Sequence, residues 1–182
     1  MPMPPSLYWV KHCNVMLKIV TTITELNLDE FLEVYREDIL ENGERFFPNL
    51  SGAELLRKSE DSFVSYLRED FFRQKGAFYA LWVDEGRYKA ALRMEPYTDG
   101  VLLEALSTMP GERRKGYAYM LVTEVQKYLL TLPYKVVYSH IHKKNLPSLQ
   151  LHNKCGFQMF SDSARYIDGT VTQKSCTMCY YL

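Results

Sequence analysis

The chain has 182 residues, room for one domain with a full hydrophobic core and too little for two comfortable ones. Lys plus Arg and Asp plus Glu both count 22, so the formal net charge is zero and nothing global draws the chain to nucleic acid or an anionic membrane. The apolar share of 47 % is ordinary, while the 14 % aromatic share, mostly tyrosine, suits either an aromatic core or a lined pocket. No apolar run approaches the ~20 residues of a membrane span. The proline-rich residues 1–6 lack the apolar core of a signal peptide. The expectation is a cytoplasmic protein with no membrane partner and no nucleic-acid partner.

In chain order, Met16 begins a run that reads as a natural first strand, so residues 1–15 are expected to be an extension and residues 16–182 a single domain. The β-branched stretch 17–24 predicts a strand. Asn27 with Glu30, and Ser51 with Glu54, have capping-box spacing. Leu28, Phe31, Leu32, Tyr35 and Ile39 then recur at helical spacing. So do Leu55, Leu56, Phe63, Tyr66, Leu67 and Phe71, with a break expected near Ser59 and a stop at Gly76. Residues 77–83, 88–95 and 101–108 predict three strands joined by the turns Asp84-Glu85-Gly86 and Thr98-Asp99-Gly100, an antiparallel meander. A helix is expected over 117–132, burying Leu121, Val125 and Leu129 and exposing Thr123, Glu124, Gln126 and Lys127. A strand at 135–141, a short helix at 147–154 stopped by Gly156, and strands at 157–160 and 175–182 complete the chain. The order predicts a mixed α/β sheet with helices packed on it.

The cysteines are Cys13, Cys155, Cys176 and Cys179. Cys176 and Cys179 form a CxxC, but no second pair supplies the remaining zinc ligands. On a strand, residues three apart point to opposite faces, so two unrelated core thiols are expected and no metal site.

The most informative stretch runs from Leu106 to Ala118. A strand ends near Pro110, three cations follow (Arg113, Arg114, Lys115), then Gly116, and a helix starts at once. The first helical turn leaves backbone N–H groups unpaired and its dipole favours anions. A glycine there lets a phosphate approach closely, and the cations add charge where a diphosphate would sit. Neither a P-loop GxxxxGK nor a GxGxxG is present.

Arg113-Arg114-Lys115-Gly116-Tyr117-Ala118 resembles the acetyl-CoA loop of the GNAT acetyltransferase superfamily, Arg/Gln-x-x-Gly-x-Gly/Ala. Residues 145–157, from Asn145 through Ser148, Leu151, His152, Lys154 and Gly156 to Phe157, resemble the same family's second motif, Asn-x-x-Ala/Ser-x-x-Leu/Phe-Tyr-x-Lys-x-Gly-Phe. It lies one helix and one strand downstream, where the family has it. The likeness is specific over 101–160 and looser over 17–100. It implies a splayed, largely antiparallel sheet of about seven strands flanked by about four helices, in line with the pattern reading.

The resemblance also implies acetyl-CoA as co-substrate and transfer of its acetyl group to a small-molecule or peptide amine. Pantetheine is expected between strands 101–108 and 135–141, with Leu106, Ser107 and Thr108 along it. The amides of Arg114, Lys115, Gly116, Tyr117 and Ala118 would take the diphosphate, with Arg113 and Lys115 nearby, and Asn145 and Ser148 would touch the cofactor. An alkyl amine of pKa ~10.4 arrives protonated, and a thiolate of pKa ~8.5 leaves better with a proton, so a base and an acid are wanted. Glu104, the one acid in its strand and of the same parity as Leu106 and Thr108, is the expected base unless a bulge intervenes. The family's tyrosine acid is replaced by His152, which is the expected acid, with Tyr117 or Tyr138 as substitutes. His140 and His142 are reserve bases, and Cys155 is expected to be a packed thiol. A CoA-binding sensor or scaffold without chemistry is the alternative that the His152 departure favours. Family members often dimerise, so a homodimer is open.

Overall fold

A computed structural model describes residues 15–182. The expected extension lies outside the described residues, apart from Val15, which already pairs with Asp84 in the first strand. Seven strands form one sheet: β1 (Val15–Val20), β2 (Phe78–Asp84), β3 (Arg87–Tyr97), β4 (Gly100–Thr108), β5 (Val136–His142), β6 (Gln158–Ser161) and β9 (Ser175–Tyr181). A separate two-stranded hairpin, β7 (Ala164–Arg165) with β8 (Val171–Thr172), interrupts the run from β6 to β9 and was not expected. The sheet order is β1-β2-β3-β4-β5-β9-β6, and β4–β5 is its parallel pair. The four α-helices are α1 (Leu28–Phe46), α2 (Gly52–Glu69), α3 (Tyr117–Leu129) and α4 (Leu146–Lys154). This is the mixed, splayed, mostly antiparallel fold anticipated.

Period-two alternation in β2 sets the two layers. Phe78, Ala80 and Trp82 join the core under α3, with Leu121, Val122, Val125 and Leu129. Tyr79, Leu81 and Val83 join the core under α1, with Phe31, Val34, Tyr35 and Ile39. Phe31, Tyr79, Phe71 and Leu67 are entirely buried, each side chain contributing roughly 1.5–3 kcal/mol. The tyrosine-rich composition therefore serves core and pocket together.

Local expectations fail where a side chain finds a different partner. β1 stops at Val20 because the Glu25 carboxylate takes the amides of Thr21 (2.8 Å) and Thr22 (3.2 Å), bending the chain into a 3-10 turn at Ile23–Glu25. Neither Asn27 nor Ser51 caps its helix by side chain. Glu30 instead accepts from the Tyr88 amide at 3.2 Å and pairs with Arg87 at 3.2 Å, pinning α1 to β3. Helix α2 runs unbroken through Ser59, whose hydroxyl donates to the Leu55 carbonyl at 2.7 Å. Phe71 sits in a following 3-10 turn. Gln126 is buried, not on the polar face; its amide donates to the Cys155 carbonyl at 2.8 Å and ties α3 to the end of α4. Helix α3 ends at Leu129, three residues early, in turns where Thr131 bonds the Tyr128 carbonyl. Cys176 and Cys179 are buried in different clusters on opposite faces of β9. Among the described residues no helix is long and apolar enough to cross a membrane.

Candidate functional site

The site begins where the sheet comes apart. β4 and β5 pair only through Val101, Leu102 and Leu103 against Val137, Tyr138 and Ser139. At the closed end the backbones press together: a Cβ on Gly100 would lie 2.1 Å from the Val136 carbonyl oxygen. Beyond Leu103 the strands diverge, and β4 continues to Thr108 while β5 runs on to His142, paired on its other edge with β9. Backbone groups on the facing edges thus lack ladder partners, a demand that an amide-bearing guest can meet.

Within the diverging part, β4 carries a bulge. Arg93 pairs with Glu104 and Ala91 with Ser107, so two residues of β4 oppose Leu92 alone. Ala105 takes a left-handed φ of 49°, and its carbonyl accepts the Tyr35 hydroxyl at 2.7 Å. The bulge overturns the parity argument for Glu104, which shares the α1/α2 face with Ser107 rather than with Leu106. Ser107 bonds the Val34 carbonyl of α1 at 3.2 Å. Glu104 pairs with Arg93 at 2.5 Å, and Arg93 also pairs with Glu95 at 2.8 Å and donates to the Tyr66 hydroxyl of α2 at 3.0 Å.

At the open end of the gap stands the N-terminus of α3. Gly116 is its N-cap residue, with φ 88°, and Met120 donates to the Gly116 carbonyl. The preceding amides of the first turn therefore have no intrahelical acceptor. Arg114 is also left-handed, with φ 65°, a conformation costing a non-glycine residue roughly 1–2 kcal/mol. Strain of this kind clusters at ligand clamps. Residues 113–116 are all exposed. Arg113 pairs with Glu37 of α1 at 2.5 Å, and Lys115 pairs with Glu112 at 2.5 Å. Glu112 also meets Lys89 at 2.7 Å, and the two ammonium groups hold its carboxyl down to about 2.

The second motif forms α4, whose Lys154 ammonium lies 4.5 Å from the centre of the Tyr119 ring in the first turn of α3. Asn145 caps the helix, its Oδ1 accepting from the Ser148 amide at 3.1 Å. His152 is buried, its ring edge-on to Phe157. Its Nδ1 lies 2.8 Å from the Ser148 carbonyl. A carbonyl only accepts, so Nδ1 carries the proton and Nε2 bears a lone pair. Nε2 is buried without a partner, and burial pushes the imidazole pKa down. Neutral His152 in this tautomer is an acceptor; donating from Nε2 requires the imidazolium that burial disfavours.

The substitute acids are engaged elsewhere. Tyr117 donates to Asp84 at 2.8 Å, which raises its phenol to about 12, and Tyr138 donates to Asp99 at 2.9 Å. His140 contacts the Arg165 carbonyl at 2.9 Å and Thr177 at 3.1 Å, and His142 accepts from the Lys144 amide at 3.2 Å. The Cys155 thiol is buried and pushed up to about 11, unsuited to nucleophilic attack. Among the described residues no cluster of three metal-ligating side chains occurs.

Sequence reasoning missed a cavity of about 560 Å³ between α1, α2 and the β4 bulge. Tyr35, Asp38, Asn42 and Phe46 line it from one stripe of α1, and Ser59, Phe63 and Tyr66 face them from α2. Arg93 and Tyr79 line it from the sheet, and Ala105 and Leu106 lie where it meets the gap. Asp38 and Asn42 were readable at the i, i+3, i+7 spacing from Tyr35, as polar residues interrupting an otherwise aromatic stripe. Asp38 is exposed as a residue, yet its carboxyl loses water against the concave wall; this desolvation raises its pKa, an effect the Ser107 hydroxyl partly offsets.

The model of the acetyltransferase (GNAT) family matches residues 29–157. That is well over half of the chain, and the protein belongs to the GNAT acetyltransferase family. PaiA N-acetyltransferase from Thermoplasma acidophilum, solved with coenzyme A, superposes with a TM-score of 0.62 at 13 % identity, over 91 % of this chain and 99 % of its own. Spermidine N-acetyltransferase from Vibrio cholerae, solved with CoA and spermine, gives 0.59 at 14 % identity, over 92 % and 95 %. The ribosomal-protein-S18-alanine N-acetyltransferase from Escherichia coli gives 0.56 at 15 % identity, over 91 % and 94 %. At such identities the likeness is one of fold. No curated protein sequence matches the chain significantly.

Proposed function

We propose that the protein transfers the acetyl group of acetyl-CoA to an amine by direct attack in a ternary complex. The observation that carries this is the β4–β5 divergence, which has the open end of α3 at its mouth and a cavity meeting it at the Ala105 bulge. The fold is shared with proteins solved with CoA, which supports CoA as a ligand of this chain.

The residues fit the cofactor. The bare edge at Leu106, Ser107 and Thr108 offers hydrogen bonds to an amide-bearing arm. The amides of Arg114, Lys115, Gly116, Tyr117 and Ala118 would hold the diphosphate, with Arg113 and Lys115 turning from Glu37 and Glu112 toward it. Asn145 and Ser148 would contact it from the start of α4. When bound, acetyl-CoA supplies an activated thioester.

The remaining work belongs to the chain. The Leu106 N–H would stabilise charge developing on the acetyl oxygen. A C–N bond forms as the C–S bond breaks; the ammonium's first proton goes to solvent, and the proton released on attack is received by Glu104 through water. The departing thiolate would take a proton from water, or from His152 when its imidazole is protonated. Glu104 is held by its ion pair with Arg93, which orients it but keeps it from reaching the acceptor directly. A homodimer remains part of the proposal; edge strand β6, with Met159 and Phe160 59 % and 56 % exposed, is where it would form.

The second reading is a CoA-binding sensor without turnover, favoured by the acceptor tautomer of His152. Thiol release from acetyl-CoA across a diverse amine library, beside calorimetry with CoA, separates the two. Binding with no release for any amine overturns the transferase; no binding overturns both.

A further inference from the structure

Resting on the transferase reading, we infer that the acceptor is a primary ammonium carried on an aromatic or otherwise apolar body without a carboxylate, and that Asp38 is the residue that selects it. The cavity walls carry the argument. Asp38 and Arg93 are its charged lining residues. Arg93 is already ion-paired: Nε lies 2.8 Å from Glu95, Nη2 lies 2.5 Å from Glu104, and Nη1 donates to Tyr66 at 3.0 Å. Two facing carboxylates leave the guanidinium no net positive charge to offer. The cavity thus offers no unpaired cation to receive an acceptor's carboxylate or phosphate, and an anionic group there would be desolvated without a partner.

Asp38 has no such internal neutraliser. It lies on the same stripe of α1 as Tyr35, whose hydroxyl holds the bulge carbonyl at 2.7 Å, and close to Ser107. An ammonium on Asp38 therefore stands beside the bulge. Around Asp38, Glu37 and Glu41 add negative charge, while Arg113 is paired with Glu37. Six aromatic rings, among them Tyr35, Phe63 and Tyr66, share the rest of the wall with Asn42, Ser59 and Ser62, and Phe46 is 75 % exposed at the rim. Rings of this kind suit an apolar body. A second ammonium, as in a polyamine, would meet rings rather than another lining carboxylate.

The test uses the full chain with acetyl-CoA and three probes: 2-phenylethylamine, L-phenylalanine, which adds a carboxylate to the same skeleton, and spermidine. Thiol release gives kcat/KM, and calorimetry in the presence of CoA gives acceptor affinity. The expected result is a preference for 2-phenylethylamine over both others of about tenfold or more, the scale of one charge-assisted contact. D38N should remove that preference and raise KM, D38E should restore part of it, and acetyl-CoA affinity should stay unchanged in both. Acetyl-CoA that binds while phenylalanine or spermidine is preferred, or while 2-phenylethylamine neither binds nor reacts, overturns this inference alone. An unchanged preference in D38N overturns the role of Asp38. Failure of acetyl-CoA to bind overturns the transferase reading beneath it.

Discussion

A Cβ on Gly43 would lie 1.9 Å from the Ser59 hydroxyl oxygen and 2.9 Å from the Ser59 Cβ, so α1 and α2 meet here with no space for a methyl group. The contact sets the distance between the two helices that wall the cavity. Gly43→Ala gains helix propensity but forces the pair apart, and overpacking of this kind costs about 1–3 kcal/mol. The melting temperature should fall by about 2–12 °C for a chain of this size. The double variant G43A/S59G should recover part of the loss in a thermal melt; no recovery would place the strain elsewhere.

The cradle is tested by charge. Gly116→Asp puts an anion and a side chain at a left-handed φ of 88° where a diphosphate is proposed, and Arg113→Glu sets two carboxylates against each other at Glu37. Both should weaken acetyl-CoA by about tenfold or more in calorimetry, the scale of a lost charge-assisted contact. The circular dichroism spectrum should be unchanged. Wild-type affinity in either variant would argue that the phosphates sit elsewhere.

Glu104 can be a base, a strut, or both. Glu104→Gln keeps the shape and removes the charge facing Arg93. As a base, its loss should lower kcat/KM by roughly 10²–10⁴ while acetyl-CoA affinity holds. As a strut alone, the melt would shift while kcat/KM stayed near the wild-type value. The second outcome would return proton removal to water.

His152 predicts a pH-dependent stability of definite sign. Its folded pKa is depressed by burial below the ordinary value of ~6.5, so the unfolded chain binds the proton more readily. Its stabilising contribution is full above ~6.5 and is lost as pH falls through the depressed folded value. His140 is depressed in the same sense, so the variant is needed to isolate one imidazole. Melts of His152→Phe should be less sensitive to acidification than wild type; an equal slope would mean that the ring is solvated. His152→Ala should also slow turnover more than it weakens acetyl-CoA binding, and an unaltered rate would retire it as the acid.

The legible parts of the chain were those written in short-range pattern. The meander announced itself through Asp84-Glu85-Gly86 and Thr98-Asp99-Gly100, and β2, β3 and β4 followed within a few residues. The cation run, Gly116 and the start of α3 could be read as one unit because a loop entering a helix is local chemistry. What escaped depended on contacts distant in sequence. Gln126 looks like a surface residue until Cys155 arrives from α4 to accept its amide. The bulge that turns Glu104 toward Arg93 leaves no mark in the β4 sequence, since Ala105 is neither glycine nor asparagine at φ 49°. The cavity needs α1 and α2 side by side, a relationship that Gly43 and Ser59 encode only once the helices meet.

The three rungs that join β4 to β5 make the sheet less continuous than its seven strands suggest. It is two wings sewn along a short seam, and the stitching stops where a ligand would begin. A guest in that opening would act as a temporary strand, extending the seam and stiffening both wings at once. Occupancy would then slow amide exchange far beyond the atoms touched, from Ser107 on one wing to Ile141 on the other.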